Sequence, residues 1–383
     1  MRIGFLYNHD QIHQIAHSLP IALALVELGH DVLVAASSDA IIAEIERLAG
    51  VEWLKKLRLV RLNTRRTSSR LAEKLLGEIV PARKILIYRD NLEMFRNIDV
   101  LVVTERTSLL LKQRYGLQHL KIVLADHGAG DRAIGFGAST ALFDHILAAG
   151  PKIRDRLIAE AGVDPTNITI TGYAKFDTKG TDRPNLPLQA NGRPTVLYNP
   201  HLSPHLSSWY GMGKAVMDHF VASSRYNLIF APHIMLFHRR FVVTIDRLSI
   251  DRPGNLDPCW LAAPNIHVDT GSRSLTDMTY TRAADVYLGD VSSQVYEFLR
   301  EPRPCLFLNA HDVAYAGDPN YAHWQAGPVL NSVDDLDNRI DHAIASHASS
   351  YRAMQQRLFE YTFDLTDEPS GIRAARTITA LYG

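Results

Sequence analysis

The stretch Asp285–Leu299, DVYLGDVSSQVYEFL, constrains the fold more than any other. It reads as a short apolar strand (Val286–Leu288), a tight turn (Gly289–Asp290) and a helix opened by Ser292 and Ser293. A strand that runs straight into a hydroxyl-rich helix start makes a site for a phosphate. The first turn has free N–H groups, the dipole is positive there, and the hydroxyls add donors. The dipole contributes only about 0.3–1 kcal/mol, rising to ~2 when partly buried, so a tight diphosphate site needs further donors elsewhere in the chain. The plainer alternative is an N-cap, with Ser292 or Ser293 simply starting a helix that carries Glu297 in its second turn.

The same alternation of strand and helix fills the rest of the chain. Ile3–Tyr7 is a strand, Ile12–Leu28 a helix broken or bent near Pro20 and ended by Gly29, and Asp31–Ala35 a second strand. That is a parallel βαβ unit. Ala40–Leu48 continues as helix, and Leu59–Leu62, Val100–Val103, Ile122–Ala125, Asp144–Ala148 and Ile168–Thr171 as strands. Thr178–Pro194, rich in Pro, Gly and Asn, reads as a linker. Beyond it the pattern restarts with strands at Thr195–Tyr198, Asn227–Ala231, Asn265–Val268 and Pro304–Leu308, and helices at Gly213–Ala222, Leu275–Ala283, Asp334–His347 and Tyr351–Phe359. A chain of 383 residues exceeds one ordinary core. The expected fold class is therefore α/β: two Rossmann-like doubly wound domains facing a central cleft, over residues 1–180 and 181–365. A last helix within 366–383 is expected to pack back on the first.

Formal net charge is zero, which gives no argument for a nucleic-acid partner. No stretch approaches the roughly 20 apolar residues of a membrane span, and the N-terminus has too short an apolar run for a signal peptide. Cys259 and Cys305 match no metal or redox spacing, so a cytoplasmic setting is expected. Leu54–Arg89 is the exception in charge, with 11 Lys and Arg against Glu73 and Glu78 and leucines and isoleucines between them. It is either a solvated helix face or a peripheral docking site on an anionic inner membrane face.

Strand ends carry the chemistry, because ligands of doubly wound sheets sit at the carboxyl ends of the strands. In KIVLADHGAGDR, His127 follows a strand at once. Its unperturbed pKa suits a general base, with Asp126 and Asp131 to orient it. The alternative is an ordinary loop histidine. The glycines here do not fit the dinucleotide fingerprint. In the second half, Asn199 and His201, then His233 and Arg239, then Asp290, Ser292 and Ser293 follow successive strands and are read as the diphosphate side. His9, His13 and His17 recur every four residues without an accompanying carboxylate or cysteine. Metal ligation is conceivable on a helix; the plainer reading puts His9 in the loop at the strand end and His13 and His17 on one helix face, with cleft lining by at least one of them as the functional alternative. His9 and His13, with Lys175 and Asp177 of GYAKFD, are placed on the acceptor side. No cofactor and no metal is expected.

Four of these places carry a resemblance. DHG at Asp126–Gly128 resembles the WHG motif of the CDP-glycerol glycerophosphotransferase family, the teichoic-acid polymerase type built on the GT-B glycosyltransferase fold. TGYAKFD at Thr171–Asp177 resembles its GxPRxD motif, and FAPHIML at Phe230–Leu236 its RPHP motif. LGDVSSQVYEFL at Leu288–Leu299 resembles its TDYSSVYFDF motif, the most specific of the four. The similarity spans roughly residues 95–315, and GFLYNHDQIHQIAHSLPIALALVELGHDV resembles the opening of GT-B glycosyltransferases generally. The sequence departs from the family at Ala129–Arg132, where the family has TPLK, at Asn199–Ser203, where it has APTWR, and at Lys175, where it often has Arg.

The resemblance implies that His127 deprotonates an acceptor hydroxyl and that His233, Ser292 and Ser293 hold a nucleotide diphosphate. It implies a transferase moving a polyol-phosphate or glycosyl group from a CDP-glycerol-like or other CDP-, UDP- or CMP-linked donor. The acceptor is then a glycan or lipid-linked hydroxyl in cell-surface polymer synthesis. Three alternatives stand beside it: a UDP- or CMP-sugar glycosyltransferase, a nucleotide-sugar 2-epimerase, and a non-catalytic nucleotide-binding protein.

Overall fold

The computed structural model describes residues 1–9, 12–64, 82–125, 127–178, 182–238, 241–244 and 249–383. The chain forms two compact units. The first comprises Met1–Ala129, Phe136–Gly180 and Tyr361–Gly383, and the second Gly130–Gly135 and Thr181–Glu360.

The first unit is built on a seven-stranded sheet. Its strands are β1 (Arg2–Tyr7), β2 (Asp31–Ala36), β3 (Arg58–Arg61), β4 (Val100–Val103), β5 (Lys121–Ala125), β6 (His145–Ala148) and β7 (Ile168–Ile170). They lie in the order β3-β2-β1-β4-β5-β6-β7, and every pairing is parallel. The apolar runs of β1, β4, β5 and β6 are buried on both faces, as a parallel sheet covered by helices requires, while the edge strands β3 and β7 are only partly buried. The strand order reverses between β1 and β4, which places the ends of β1, β4 and β5 around a switch point.

The second unit repeats the plan with β8 (Thr195–Asn199), β9 (Asn227–Phe230), β12 (Ile266–Val268), β13 (Val286–Gly289), β14 (Cys305–Leu308) and β15 (Val329–Leu330), in the order β12-β9-β8-β13-β14-β15. All five pairings are again parallel. The switch falls between β8 and β13, where Asn199 pairs with Gly289 in register. The two motifs NPH and LGDVSS thus leave the sheet side by side. A separate antiparallel pair, β10 (Val242–Thr244) with β11 (Ser249–Asp251), was not foreseen.

Three expected helices are shorter than their periodicity suggests. Ile12–Leu28 is a 3-10 turn (Ile12–His17) and then a helix (Leu19–Glu27), interrupted at Ser18, whose hydroxyl donates to the Tyr7 phenol. Leu275–Ala283 reduces to Thr279–Ala283, because Met278 adopts a left-handed φ of 66°. The helix after Ser293 runs only from Gln294 to Phe298. Most of the basic Leu54–Arg89 stretch, residues 65–81, lies outside the described residues.

The C-terminal helix Ser370–Tyr382 packs on Leu19–Glu27 in the first unit, burying Ala374, Ala375 and Ile378. Gly371 allows the approach, since a Cβ there would sit 2.9 Å from the Pro20 backbone. Just before this helix the chain crosses Gly150, where a Cβ would meet the Thr362 carbonyl oxygen at 2.4 Å. The crossing is tied by the Asp364 N–H donating to the Ala149 carbonyl at 2.9 Å. Gly150 is extended (φ −174°), so its backbone suits any residue and only space forbids a side chain. Gly150→Ala is expected to cost about 1–3 kcal/mol by overpacking and to expose residues 361–383 to limited proteolysis. A variant with wild-type melting and digestion would contradict this packing.

Candidate functional site

The switch point of the second sheet is held together by Asp290. Its carboxylate is buried and accepts from the backbone N–H of His201 (2.9 and 3.1 Å), Ser208 (2.6 Å) and Val291 (2.7 Å), and from the Ser208 hydroxyl (2.9 Å). Its carbonyl accepts from the Trp324 indole at 2.8 Å. Burial pushes the Asp290 carboxyl up to about 6, although the donors from Ser208, Val291 and His201 pull the other way. Expected on the diphosphate side, Asp290 is thus occupied in fixing the loop after β8 to the loop after β13. Asn199 plays a similar part: its amide donates to the Ala231 carbonyl at 2.6 Å and its oxygen accepts from the Tyr287 phenol at 3.3 Å.

On this frame stand His201, His233 and Arg132. The imidazoles of His201 and His233 are 5.7 Å apart between centroids. The Met235 N–H donates to His233 Nδ1 at 3.2 Å, so Nε2 carries that ring's proton when neutral. His201 is more crowded. The Ser203 N–H points at its Nδ1 at 2.9 Å, and an Arg132 guanidinium nitrogen lies 2.9 Å from its Nε2. A neutral imidazole has one lone pair, so two donors compete for one acceptor. Burial first, then the positive charge of Arg132, holds His233 down at about 4 and, with His233 and His205 adding to it, His201 well below the ordinary imidazole range. The group brings a guanidinium, a backbone N–H and two imidazoles together, donors of the kind that bind an anion.

Ser292 is buried and Ser293 exposed at the start of the short helix. With five residues, that helix brings a smaller dipole than a longer one would, so the side-chain donors matter more. Gly130 packs against Ser293: a Cβ there would come within 3.0 Å of the Ser293 Cβ. Arg239 lies outside the described residues.

Asp131, expected to orient His127, has different partners. It is buried and accepts from the Tyr296 phenol at 2.7 and 2.8 Å and from the His323 backbone N–H at 3.0 Å, and it meets His323 Nδ1 at 2.8 Å. His323 Nε2 lies 2.9 Å from the Asp290 carbonyl, which can only accept, so Nε2 is protonated. Arg132, Tyr296 and His323 were not singled out from the sequence. The cation directly after the altered DHGAGD run was the available sign for Arg132.

In the first unit, His127 follows β5, and its Nδ1 lies 2.7 Å from the Thr104 carbonyl at the end of β4. A carbonyl only accepts, so Nδ1 carries the hydrogen and the basic lone pair is on Nε2. Thr104 is itself fixed by its hydroxyl donating to the Gln14 amide oxygen at 2.9 Å. His17 packs edge-on to His127 and to Tyr173, with centroids at 6.4 and 5.1 Å. Burial, then Lys175, His127, His13 and His9 in turn, hold His17 well below the ordinary imidazole range. His9, His13 and Lys175 therefore share one electropositive neighbourhood with His127 at the sheet's switch point. Asp177 is placed apart from that role: it accepts from the Ser370 and Gly371 N–H groups at 3.3 and 2.7 Å and caps the C-terminal helix. Asp126 lies outside the described residues.

Among the described residues, no three His, Cys, Asp or Glu side chains gather as a metal set, and no helix is long and apolar enough to cross a membrane. No family model and no curated protein matches the sequence. Solved structures do match in fold. A UDP-N-acetylglucosamine 2-epimerase aligns over 99% of this chain and 94% of its own with a TM-score of 0.60 at 14% identity. The glycotransferase of kitacinnamycin aligns over 100% and 99% with a TM-score of 0.58 at 14% identity. The wall teichoic acid polymerase TagF aligns over 100% and 88% with a TM-score of 0.58 at 11% identity. The chain has the two-domain α/β architecture of GT-B glycosyltransferases and the 2-epimerases that share it.

Proposed function

We propose that the protein is a transferase that moves a glycosyl or polyol-phosphate group from a nucleotide-activated donor to a hydroxyl acceptor. The observation that carries this is the donor-rich group around His201, where two N–H groups face one imidazole lone pair. Donors of this kind suit the oxygens of a phosphate. In this reading His201, His233, Ser292 and Ser293 hold the donor's diphosphate on the second unit, joined by Arg239. His127 Nε2 takes the acceptor's proton, and His9, His13 and Lys175 lie on the acceptor side. Divalent metal is not needed, since imidazoles and hydroxyls provide the electrostatic stabilisation.

The TagF likeness and the four motifs favour a CDP-glycerol-like donor and a cell-envelope polymer product. Epimerisation is the rival that shares the fold. It needs carboxylates to move a proton from carbon. Asp290 and Asp131 instead accept hydrogen bonds from buried partners, which favours transfer. The Leu54–Arg89 stretch remains our proposed contact with a membrane carrying the acceptor.

The test is a thermal-shift and calorimetry panel of CDP, UDP, CMP, ADP and GDP on wild type and on the Ser292→Ala/Ser293→Ala double variant. One diphosphate is expected to stabilise wild type and to lose its effect in the variant. CDP would name polyol-phosphate transfer, UDP a sugar donor, CMP a CMP-sugar. Silence across the panel would remove the nucleotide reading and leave a binding protein of another kind.

A further inference from the structure

The amino ends of β13 and β14 carry a second cluster of charge within the second unit. The two strands run parallel, with Tyr287 opposite Cys305. Arg282 lies on the helix Thr279–Ala283 that leads into β13, and Arg300, Glu301 and Arg303 lie in the turn that leads into β14. This is the opposite end of the strands from Asp290 and Ser292, which follow a carboxyl end. With Met278 and Glu297 these residues line a cleft of about 300 Å³, at the small end of the range for ligand pockets.

Two guanidiniums in this cleft lack a counterion. The five N–H groups of Arg303 have five main-chain carbonyls as partners. Nε donates to Glu301 at 3.0 Å, one terminal nitrogen to Arg282 at 3.2 Å and to Ala284, and the other to Thr281 at 2.8 Å and Phe298 at 3.1 Å. Its guanidinium also lies over the Phe298 ring, 4.0 Å from the centroid. Carbonyls carry no net charge, and no described carboxylate makes an ion pair with Arg303. Burial pulls it down to about 10 against the more distant pull of Glu301, which leaves it charged at neutral pH. Arg282 is the opposite case. Its Nε is buried and donates to nothing, and its side chain makes no hydrogen bond or ion pair with any described residue. Buried donors nearly always have acceptors, and an orphan calls for an explanation.

We propose that this cleft binds a phosphate group, as the free ion or as the monoester end of a small molecule. Arg282 donates to it through Nε and a terminal nitrogen, and Arg303 supplies charge alone. The edge of a guanidinium presents two parallel N–H groups to an oxyanion. A phosphate carries about −1.5 to −2 at neutral pH, which answers two cations without ion-pair partners, whereas a carboxylate answers one. Three arginines against two glutamates leave the cleft positive before it binds. The site is separate from the proposed diphosphate site and does not rest on the transferase reading.

Sodium phosphate is the probe, titrated into the full chain by calorimetry at constant ionic strength. Binding is expected to survive in Ser292→Ala/Ser293→Ala and to weaken about ten- to a hundredfold in Arg282→Met, as for loss of a charge-assisted hydrogen bond. Proton–nitrogen NMR reads the contact directly in wild type. The Arg282 Nε–H signal, assigned by its absence from Arg282→Met, is expected to move as phosphate is added and to stay in place with acetate. Methyl phosphate is expected to move the same signal, and whichever of the two phosphates saturates it at the lower concentration names the source. An Arg282 signal that stays still throughout the phosphate titration overturns the proposal. So does binding that is lost in the serine double variant and unchanged in Arg282→Met, and an equal shift with acetate overturns the phosphate class. The transferase reading stands in each of these cases, because the nucleotide panel tests it separately.

Discussion

His127→Gln is expected to lower turnover by about 10²–10⁴-fold, the usual contribution of a positioned general base. The Thr104 carbonyl 2.7 Å from Nδ1 fixes the tautomer, so Nε2 is the basic nitrogen. Glutamine keeps polarity and approximate size but cannot accept a proton at neutral pH. The proposed phosphate ligands lie in the second unit, so nucleotide-induced thermal shifts should survive in this variant. The measurement is product formation under single-turnover conditions with a donor built on the nucleotide that the binding panel selects. Turnover near wild type would sink the base assignment. Loss of nucleotide binding together with turnover would instead mean that the substitution disturbs the fold.

Asp290→Ala is expected to be the most destabilising change near the site. It would strand the buried N–H groups of His201, Ser208 and Val291 and the Ser208 hydroxyl. Each unsatisfied buried group costs about 1–3 kcal/mol, so a loss on the order of 3 kcal/mol or more is expected in urea denaturation. The same residue sets a pH dependence. Its folded carboxyl, pushed up to about 6, binds a proton that the unfolded chain releases near 4. The stability it contributes is fully present below about pH 4 and is lost as pH rises through about 6. The urea midpoint of wild type should carry that falling component between these values, and Asp290→Asn should remove it. An unchanged slope in Asp290→Asn would assign the proton elsewhere.

The sheets were readable from the sequence because their signal is local. Runs such as Val100–Val103 and Val286–Gly289 are continuously apolar, as strands buried on both faces must be, and they end in glycine, histidine or hydroxyl residues. Strand ends then pointed to His127, His201, His233 and Ser292 as candidates without any knowledge of distance. Failures came where a distant partner decides. The partners of Asp131 and Asp177 could not be read: Tyr296 and His323 engage the one and the start of the C-terminal helix the other. Contacts separated by more than 150 residues leave no periodicity and no spacing to read. The left-handed Met278 and the β10–β11 pair are further cases where tertiary context overrides local preference.

Residues 361–383 complete the first unit, while 181–360 form the bulk of the second. On the ribosome the order of completion is therefore inverted. The seven strands of the first sheet emerge early, but the helix that covers Leu19–Glu27 and the segment that crosses Gly150 follow only after the whole second unit has been made. At roughly 5–20 residues per second, the first unit waits tens of seconds with an apolar helix face uncovered. That nascent intermediate exposes apolar surface that the finished fold covers.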